Sequence, residues 1–331
     1  MLKKCSRGAL AVLVIFFLIM SALATPVIAQ SLNIPSSKWG ISFGNSKNFT
    51  GLRFNFRDYN VKRINGLNIT LWKPRKSENS VVNGISFGLI PGADYLNGLN
   101  VGIGSVSAGK RLNGFSFGLL GVGSDNEMNG IMIGGLGAGG GGNIRGIAIG
   151  GLGAGTGGNF HGLGIGLLGV GAGGNLSGLM IGGIGVGGGG NANGIMIGGI
   201  GAGVGGDFSG LGIGLIGVGC GGHLKGVAIG GIGVGAQKLS GLIIGGIGLG
   251  SENIRGAALS LVLIRIENEG SLKGAALSAF NYIKGEQRGV SFGIVNYTHR
   301  LYGIQIGLIN YVRDNPFWLK ILPIINFNFK S

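Results

Sequence analysis

The sequence predicts an all-β chain, a glycine-rich β-solenoid, on three observations. Glycine supplies 78 of 331 residues and only 11% are charged, against usual shares of about 7% and 25%. One glycine, usually preceded by a polar residue, recurs at every sixteenth position from Gly98 and Gly114 through Gly130, Gly146, Gly162, Gly178, Gly194 and Gly210 to Gly226. Between these glycines aliphatic residues alternate with period two, as Ile131 and Ile133 do, which is strand patterning.

Composition removes the competing classes. Disorder needs low hydrophobicity and high charge, whereas hydrophobic residues here are 45%. Collagen needs glycine at every third position with abundant proline, and this chain has six prolines. Helix is disfavoured because each interior glycine costs about 1 kcal/mol relative to alanine.

The series extends less strictly to Gly51, Gly66 and Gly84 on one side. On the other it reaches Gly241, Gly256, Gly274, Gly289 and Gly303, giving about seventeen units of ~16 residues. A unit such as Gly130–Ala138 places Ile131 and Ile133 in one phase and Leu136 and Ala138 in the other. A bend at Gly134-Gly135 would return all four to one face, and that face is expected to point inward. Met132, Ala148, Gly164, Met180 and Met196 are then expected to point outward, although none is polar.

A second period bears on architecture. "GFSFGLLGVG" at 114, "GLGIGLLGVG" at 162 and "GLGIGLIGVG" at 210 are 48 residues apart, or three units. Duplicating three strands of an up-and-down barrel would invert the polarity of every copy, whereas solenoid coils superimpose by translation. Turns of uniform length also differ from the alternating short turns and long loops of outer-membrane barrels. The alternative is an outer-membrane antiparallel β-barrel, a pore in its functional form. It draws on "LRFNF" (52–56), "LNITLW" (67–72) and the closing "LPIINFNFKS", where apolar and polar residues alternate strictly.

Along the chain, residues 1–29 read as a signal peptide. Lys3, Lys4 and Arg7 precede an apolar run from Ala9 to Met20, shorter than the ~20 residues of a spanning helix. Small residues then place cleavage after Ala29, or after Ala24. Residues 30–76 form a basic N-terminal β segment or cap, 77–311 the repeat array, and 312–331 a C-terminal aromatic strand or cap. Cleavage would remove Cys5 and leave Cys220 alone, so no disulfide framework is expected. It would also reduce the formal charge from +15 to 26 − 3 − 11 = +12.

That charge is uneven. From Gly146 to Gly206 no residue is formally charged, while Lys38 to Lys76 holds nine cations against Asp58 alone. Such a run reads first as a solvated cap that keeps a sticky array soluble. The sharper alternative is contact with an anionic surface through Arg53, Arg57, Lys62, Arg63, Lys73, Arg75 and Lys76.

Motifs with chemical potential are weak. "GSVSAGK" (104–110) matches part of a phosphate-binding loop, but Arg111 stands where a magnesium-ligating hydroxyl is required, and no helix is predicted to follow. The GxGxxG spacing of Gly135, Gly137 and Gly140 is expected by chance in so much glycine. His161, His223 and His299 occupy different repeat positions without partners at ligand spacing. Asn143, Asn159, Asn175 and Asn191, with Asp207 next, recur at one turn position and read as a structural ladder. No catalytic residues, cofactor or metal are expected.

With the units laid out, the chain resembles exported surface-repeat proteins of the Bacteroidota and Leptospira type, whose units run G-h-x-h-G-h-h-N. The resemblance is carried by "GISFGLI" (84–90), "GVSFGIVNY" (289–297), "GIQIGLINY" (303–311) and the closing "NPFWLKILPIINFNF". The central units depart from the pattern by losing the Asn. The resemblance implies an outer-membrane or cell-surface location, with the periplasm also open, and brings no functional residues with it. The expectation is therefore a non-enzymatic envelope protein with a structural or adhesive role. Its expected partners are the outer membrane or another anionic envelope surface, other envelope proteins, or further copies of itself; nucleic acid is not expected.

Overall fold

A computed structural model of the chain describes residues 31–75 and 77–329. In the central array each coil has a long strand, a two-residue corner and a short strand. Ile144–Gly150 leads through Gly151-Leu152 into Gly153–Thr156, and a turn at 157–159 delivers the chain to Phe160–Gly166. The next coil lies beside it, parallel and offset by one repeat: Ile144 pairs with Phe160, Ala148 with Gly164 and Gly153 with Gly169. Two parallel ladders thus run the length of a β-solenoid. Neighbouring strands of an up-and-down barrel must be antiparallel, so the barrel alternative is overturned by this register. Among the described strands, antiparallel pairing occurs only at the ends. Ser31–Pro35 covers Trp39–Gly44, and Ile321–Asn328 covers Val295–Val312. Each closing strand satisfies an edge that would otherwise stay open for pairing.

Within the described part of the N-terminal segment Ser31–Pro35 is the closing strand, and Trp39–Gly44, Asn48–Arg57 and Arg63–Trp72 are parallel coils. The segment read as a signal peptide lies outside the described residues.

The recurring glycine has a conformational cause. From Gly40 to Gly303 every member of the series has positive φ, between +102° at Gly114 and +151° at Gly303. A side chain is strained there, and space forbids one as well: a Cβ on Gly162 would lie 2.0 Å from the Gly146 carbonyl oxygen of the previous coil.

The core is phased opposite to the expectation. Met132, Ala148, Met180 and Met196, expected outside, are buried at 0–2% exposure. Ile131 is 38% and Leu136 52% exposed, Ile133 is half-buried, and of the four residues expected inside only Ala138 lies in the core. Within 162–174 the same correction applies: Val170 is buried and Leu168 is exposed, while Gly164 occupies the core position. The corner stands where predicted, but alternation passes through it without a change of phase.

Volume explains the choice of face. Sheet layers pack about 10 Å apart, so each coil encloses only a few inward side chains. The residue at the start of the long strand and the one four places later share that space. They read Ile144 with Ala148, Phe160 with Gly164, Leu176 with Met180, Ala192 with Met196 and Phe208 with Gly212. In four of these coils a large partner meets a small one, or Met fills the gap left by Ala, as close packing requires. Leu176 and Met180 are both large, and there Gly188 of the short strand leaves the room, with its Cβ position 3.1 Å from Leu176 Cδ1. The uniform aliphatic lanes lie outside, where no opposing wall sets their volume.

Toward both ends the interior becomes polar. The core position of Met132 is taken at successive coils by Ser42, Arg53, Asn68, Ser86, Asn100 and Ser116, all buried. Arg53 donates Nη1 to Asp58 Oδ1 at 2.6 Å and to Asn68 Oδ1 at 2.7 Å, and Nη2 to Asn45 Oδ1 at 3.1 Å. Asp58 also accepts from Asn55 and Thr70, so the two buried charges are paired, and of the Arg53 guanidinium nitrogens Nε alone is left without a hydrogen-bond partner. At the other end Asn296 Nδ2 donates to Asn310 Oδ1 at 2.8 Å and Asn281 Nδ2 to Asn296 Oδ1 at 2.8 Å. The strict alternation of "LRFNF" and "LNITLW" thus marks polar-inward, apolar-outward strands within a solenoid.

Candidate functional site

The outward side of the long strands carries two apolar lanes in register. One joins Ile131, Ile147, Leu163, Leu179 and Ile195; the other joins Ile133, Ile149, Ile165, Ile181 and Ile197. A third lane follows the corner, through Leu136, Leu152, Leu168, Ile184, Ile200 and Ile216. Each backbone N–H in that lane donates to the carbonyl one coil back at 2.6–2.8 Å. This ladder holds the aliphatic side chains at the rod's edge in a fixed row, repeating at about the 4.8 Å strand spacing.

The three-unit period has its meaning here. Most corners begin with glycine, and a Cβ on Gly151 or Gly183 would meet the preceding coil's carbonyl oxygen at 1.8–1.9 Å. Every third corner begins instead with Leu119, Leu167 or Leu215. At Leu167 and Leu215 the backbone N–H turns to a carbonyl sixteen residues back, Gly151 and Gly199, in place of the seventeen used by Gly183. The side chain then projects: Leu167 is 69% exposed and Leu215 76%. Leucine pegs therefore stand about 14 Å apart along the edge. Phe56 and Trp72 are exposed at one end of this apolar strip.

The short strands present the opposite surface. Their inward residues are Ala138, Ala154, Val170 and Val186, and their outward positions are almost all glycine. At Gly137, Gly153, Gly169 and Gly171 a Cβ would stand 3.1–3.5 Å from its nearest neighbour. Backbone geometry does not demand glycine there, in contrast to the positive-φ series.

A cationic margin flanks part of the apolar face. Lys225, Ser240, Arg255 and Lys273 are in register across four successive coils, and His223, Lys238, Asn253 and Ser271 form a parallel row beside them. Each of the four coils thus contributes one exposed cation, and among the described residues none of the four is ion-paired with a carboxylate. Lys238, Arg255 and Lys273, with Ser240 and Ser271, line a shallow groove of about 320 Å3. His223 Nε2 lies 2.9 Å from Ser240 Oγ; burial foremost, then the Lys225 charge, holds this imidazole below the ordinary histidine range. Along each strand the outward face therefore runs from charged to apolar, as in Lys225, Val227, Ile229.

The residues singled out from the basic N-terminal run do not converge. Arg53 is fully buried in its ion pair and faces no external surface, which corrects its assignment to a surface contact. Lys62 and Arg63 are exposed where Arg63–Trp72 begins, and Lys73 and Arg75 are exposed beyond its end. Arg57 donates Nε to the Lys73 carbonyl at 2.9 Å, and Arg75 sits over the Tyr59 ring at 5.9 Å. Lys76 lies outside the described residues. The four cations of the C-terminal half were missed, although one cation per unit in "HLKG", "QKLSG", "NIRG" and "SLKG" was a readable signal.

The other motifs resolve structurally. Lys110 of "GSVSAGK" lies within the strand Ser105–Gly118 and donates Nζ to Asn79 Oδ1 at 2.6 Å. The turn ladder is present: the backbone N–H of Asn159, Asn175, Asn191 and Asp207 each donates to the Asn Oδ1 one coil before at 2.8–2.9 Å. His223 continues it onto Asp207 Oδ1 at 2.7 Å. A second ladder runs through the side chains of Asn65, Asn83, Asn97, Asn113 and Asn129. His161 is exposed, and His299 packs edge-on to Tyr297 at 5.6 Å between ring centroids. Among the described residues no three His, Cys, Asp or Glu side chains cluster as a metal would need, and no helix is long and apolar enough to cross a membrane. No protein-family model, curated protein or solved structure matches this chain.

Proposed function

We propose that this chain is a non-enzymatic repeat protein of the cell envelope, displayed at the surface, with a structural or adhesive role. The carrying observation is the outward apolar face, continuous across the coils and held by backbone ladders. Apolar patches on monomeric soluble proteins rarely exceed a few hundred Å2. Three lanes repeated over the central coils make one continuous apolar surface, and extended apolar surfaces of this kind mark interaction sites. The signal-like N-terminal sequence and the resemblance to exported surface-repeat proteins support an envelope location.

Protease treatment of intact cells producing the full chain tests this reading. Digestion of the protein while a periplasmic marker survives supports surface display. Full protection in intact cells, with recovery in the cytoplasmic fraction, overturns it.

A further inference from the structure

Resting on that reading, we propose that the occupant of the apolar face is an anionic phospholipid leaflet. The leucine edge would enter the acyl boundary, and Lys225, Lys238, Arg255 and Lys273 would lie against the headgroup phosphates. Two independent features meet in this assignment. The pegs Leu167 and Leu215, with Leu261 beyond them at 79% exposure, project from the corner edge and have no polar neighbour in their own lane. The four cations stand at the other margin of the same outward surface, one per coil and divided between two neighbouring rows. Arg255 and Lys273 are directly opposite across adjacent strands, where like charges repel. A layer of phosphates relieves that repulsion, and the hydroxyls of Ser240 and Ser271 lie in the same groove.

A face graded from cations to aliphatics is the β-sheet counterpart of an interfacial amphipathic helix, which lies in the membrane plane with its apolar side in the acyl boundary. Anionic leaflets attract such cations within a Debye length. A second copy of the chain would cover the lanes without explaining the cationic margin beside them, because this chain carries far more cations than carboxylates. Phe56 and Trp72 at one end of the strip suit a headgroup boundary, where aromatic rings concentrate.

The test uses the full chain with Cys5→Ser and Cys220→Ser, carrying an environment-sensitive fluorophore at Leu215→Cys or, on the glycine face, at Gly203→Cys. Vesicles of 70:30 phosphatidylcholine and phosphatidylglycerol should shift the probe at 215 to the blue and leave the probe at 203 unchanged. Lys225→Gln, Lys238→Gln, Arg255→Gln and Lys273→Gln combined should weaken that response by about tenfold or more, with an unchanged far-UV spectrum. So should raising the salt to 1 M. An equal response to pure phosphatidylcholine, no response at 215, or indifference to the four substitutions overturns the proposal. A blue shift without vesicles that grows with protein concentration also overturns it, in favour of a second copy. Each of these failures leaves surface display standing, because protease accessibility is measured separately.

Discussion

Phe160 closes over Gly164 within one coil: a Cβ on Gly164 would stand 2.9 Å from Phe160 Cε1, with Val170 Cγ1 and Met180 Sδ at 2.7 and 2.9 Å. The ring occupies the space that the glycine leaves, and Phe208 and Gly212 repeat the arrangement three coils on. Gly164→Ala alone should destabilise the protein by about 1–3 kcal/mol through overpacking, and Phe160→Ala by about 3–5 kcal/mol through the cavity it opens. The pair Phe160→Ile with Gly164→Ala reproduces the Ile144 and Ala148 coil. It should recover most of the Gly164→Ala loss in a denaturation double-mutant cycle, and additive losses would show that the two positions do not share volume.

Glycines of two kinds should respond differently to substitution. Gly162→Ala places a side chain at φ +128° and 2.0 Å from a backbone oxygen, so it should cost more than about 3 kcal/mol or prevent folding. Gly171→Ala, whose Cβ finds its nearest neighbour at 3.5 Å, should stay within about 1 kcal/mol. Thermal melts of the two variants, side by side, make the comparison.

The turn ladder predicts a chemically specific pattern. Asn175→Ala removes the acceptor for the Asn191 backbone N–H and should cost about 0.5–1.5 kcal/mol. Asn175→Asp keeps an acceptor, as Asp207 does for His223, and should remain near the parent. Hydrogen exchange at the Asn191 amide reads the same bond locally: faster in the Ala variant, unchanged in the Asp variant.

Two imidazoles give the stability a pH dependence. Burial foremost pushes both His223 and His299 below the usual histidine range, with Lys225 and Arg313 adding to the effect at the respective sites. A histidine with a depressed folded-state pKa disfavours its proton in the native state. Its contribution is therefore complete above the unfolded value of about 6.5 and is lost as pH falls through that value toward the folded one. Melting should drop between pH 7.5 and 5, and His299→Gln with His223→Gln should flatten the slope. An unchanged slope in the double variant would assign the dependence to carboxylates.

Much of the architecture was legible because its causes act locally. The series from Gly51 to Gly303 marked the positive-φ position, the Asn143 to Asp207 series marked a turn ladder, and the three-unit duplication separated a translating coil from an alternating barrel. The facing of the strands was misread. Period two identifies two faces, and hydropathy assigned the more aliphatic one to the interior. In this narrow coil, volume decides: the inward positions are those whose sizes vary together, Phe160 with Gly164 and Ala192 with Met196, whereas the unvarying Ile149 and Ile165 face out. Arg53 reads as a surface cation in the sequence because the inward side of its strand was not recognised: Asp58, five residues on in the same coil, pairs with it, and Asn45 and Asn68 reach it from the coils on either side. The cationic margin was overlooked because its four cations lie thirteen to eighteen residues apart in sequence and become neighbours only through the coil-to-coil register.

The central claim is that the aliphatic lanes face outward and the Met, Ala and Gly positions face inward. Single cysteines at 131, 147, 163, 179 and 195, and at 132, 148, 164, 180 and 196, can be scanned with a membrane-impermeant maleimide in the folded, lipid-free chain carrying Cys5→Ser and Cys220→Ser. Rapid labelling at the odd positions with protection at the even ones is the predicted result. Protection at the odd positions with labelling at the even ones would contradict it.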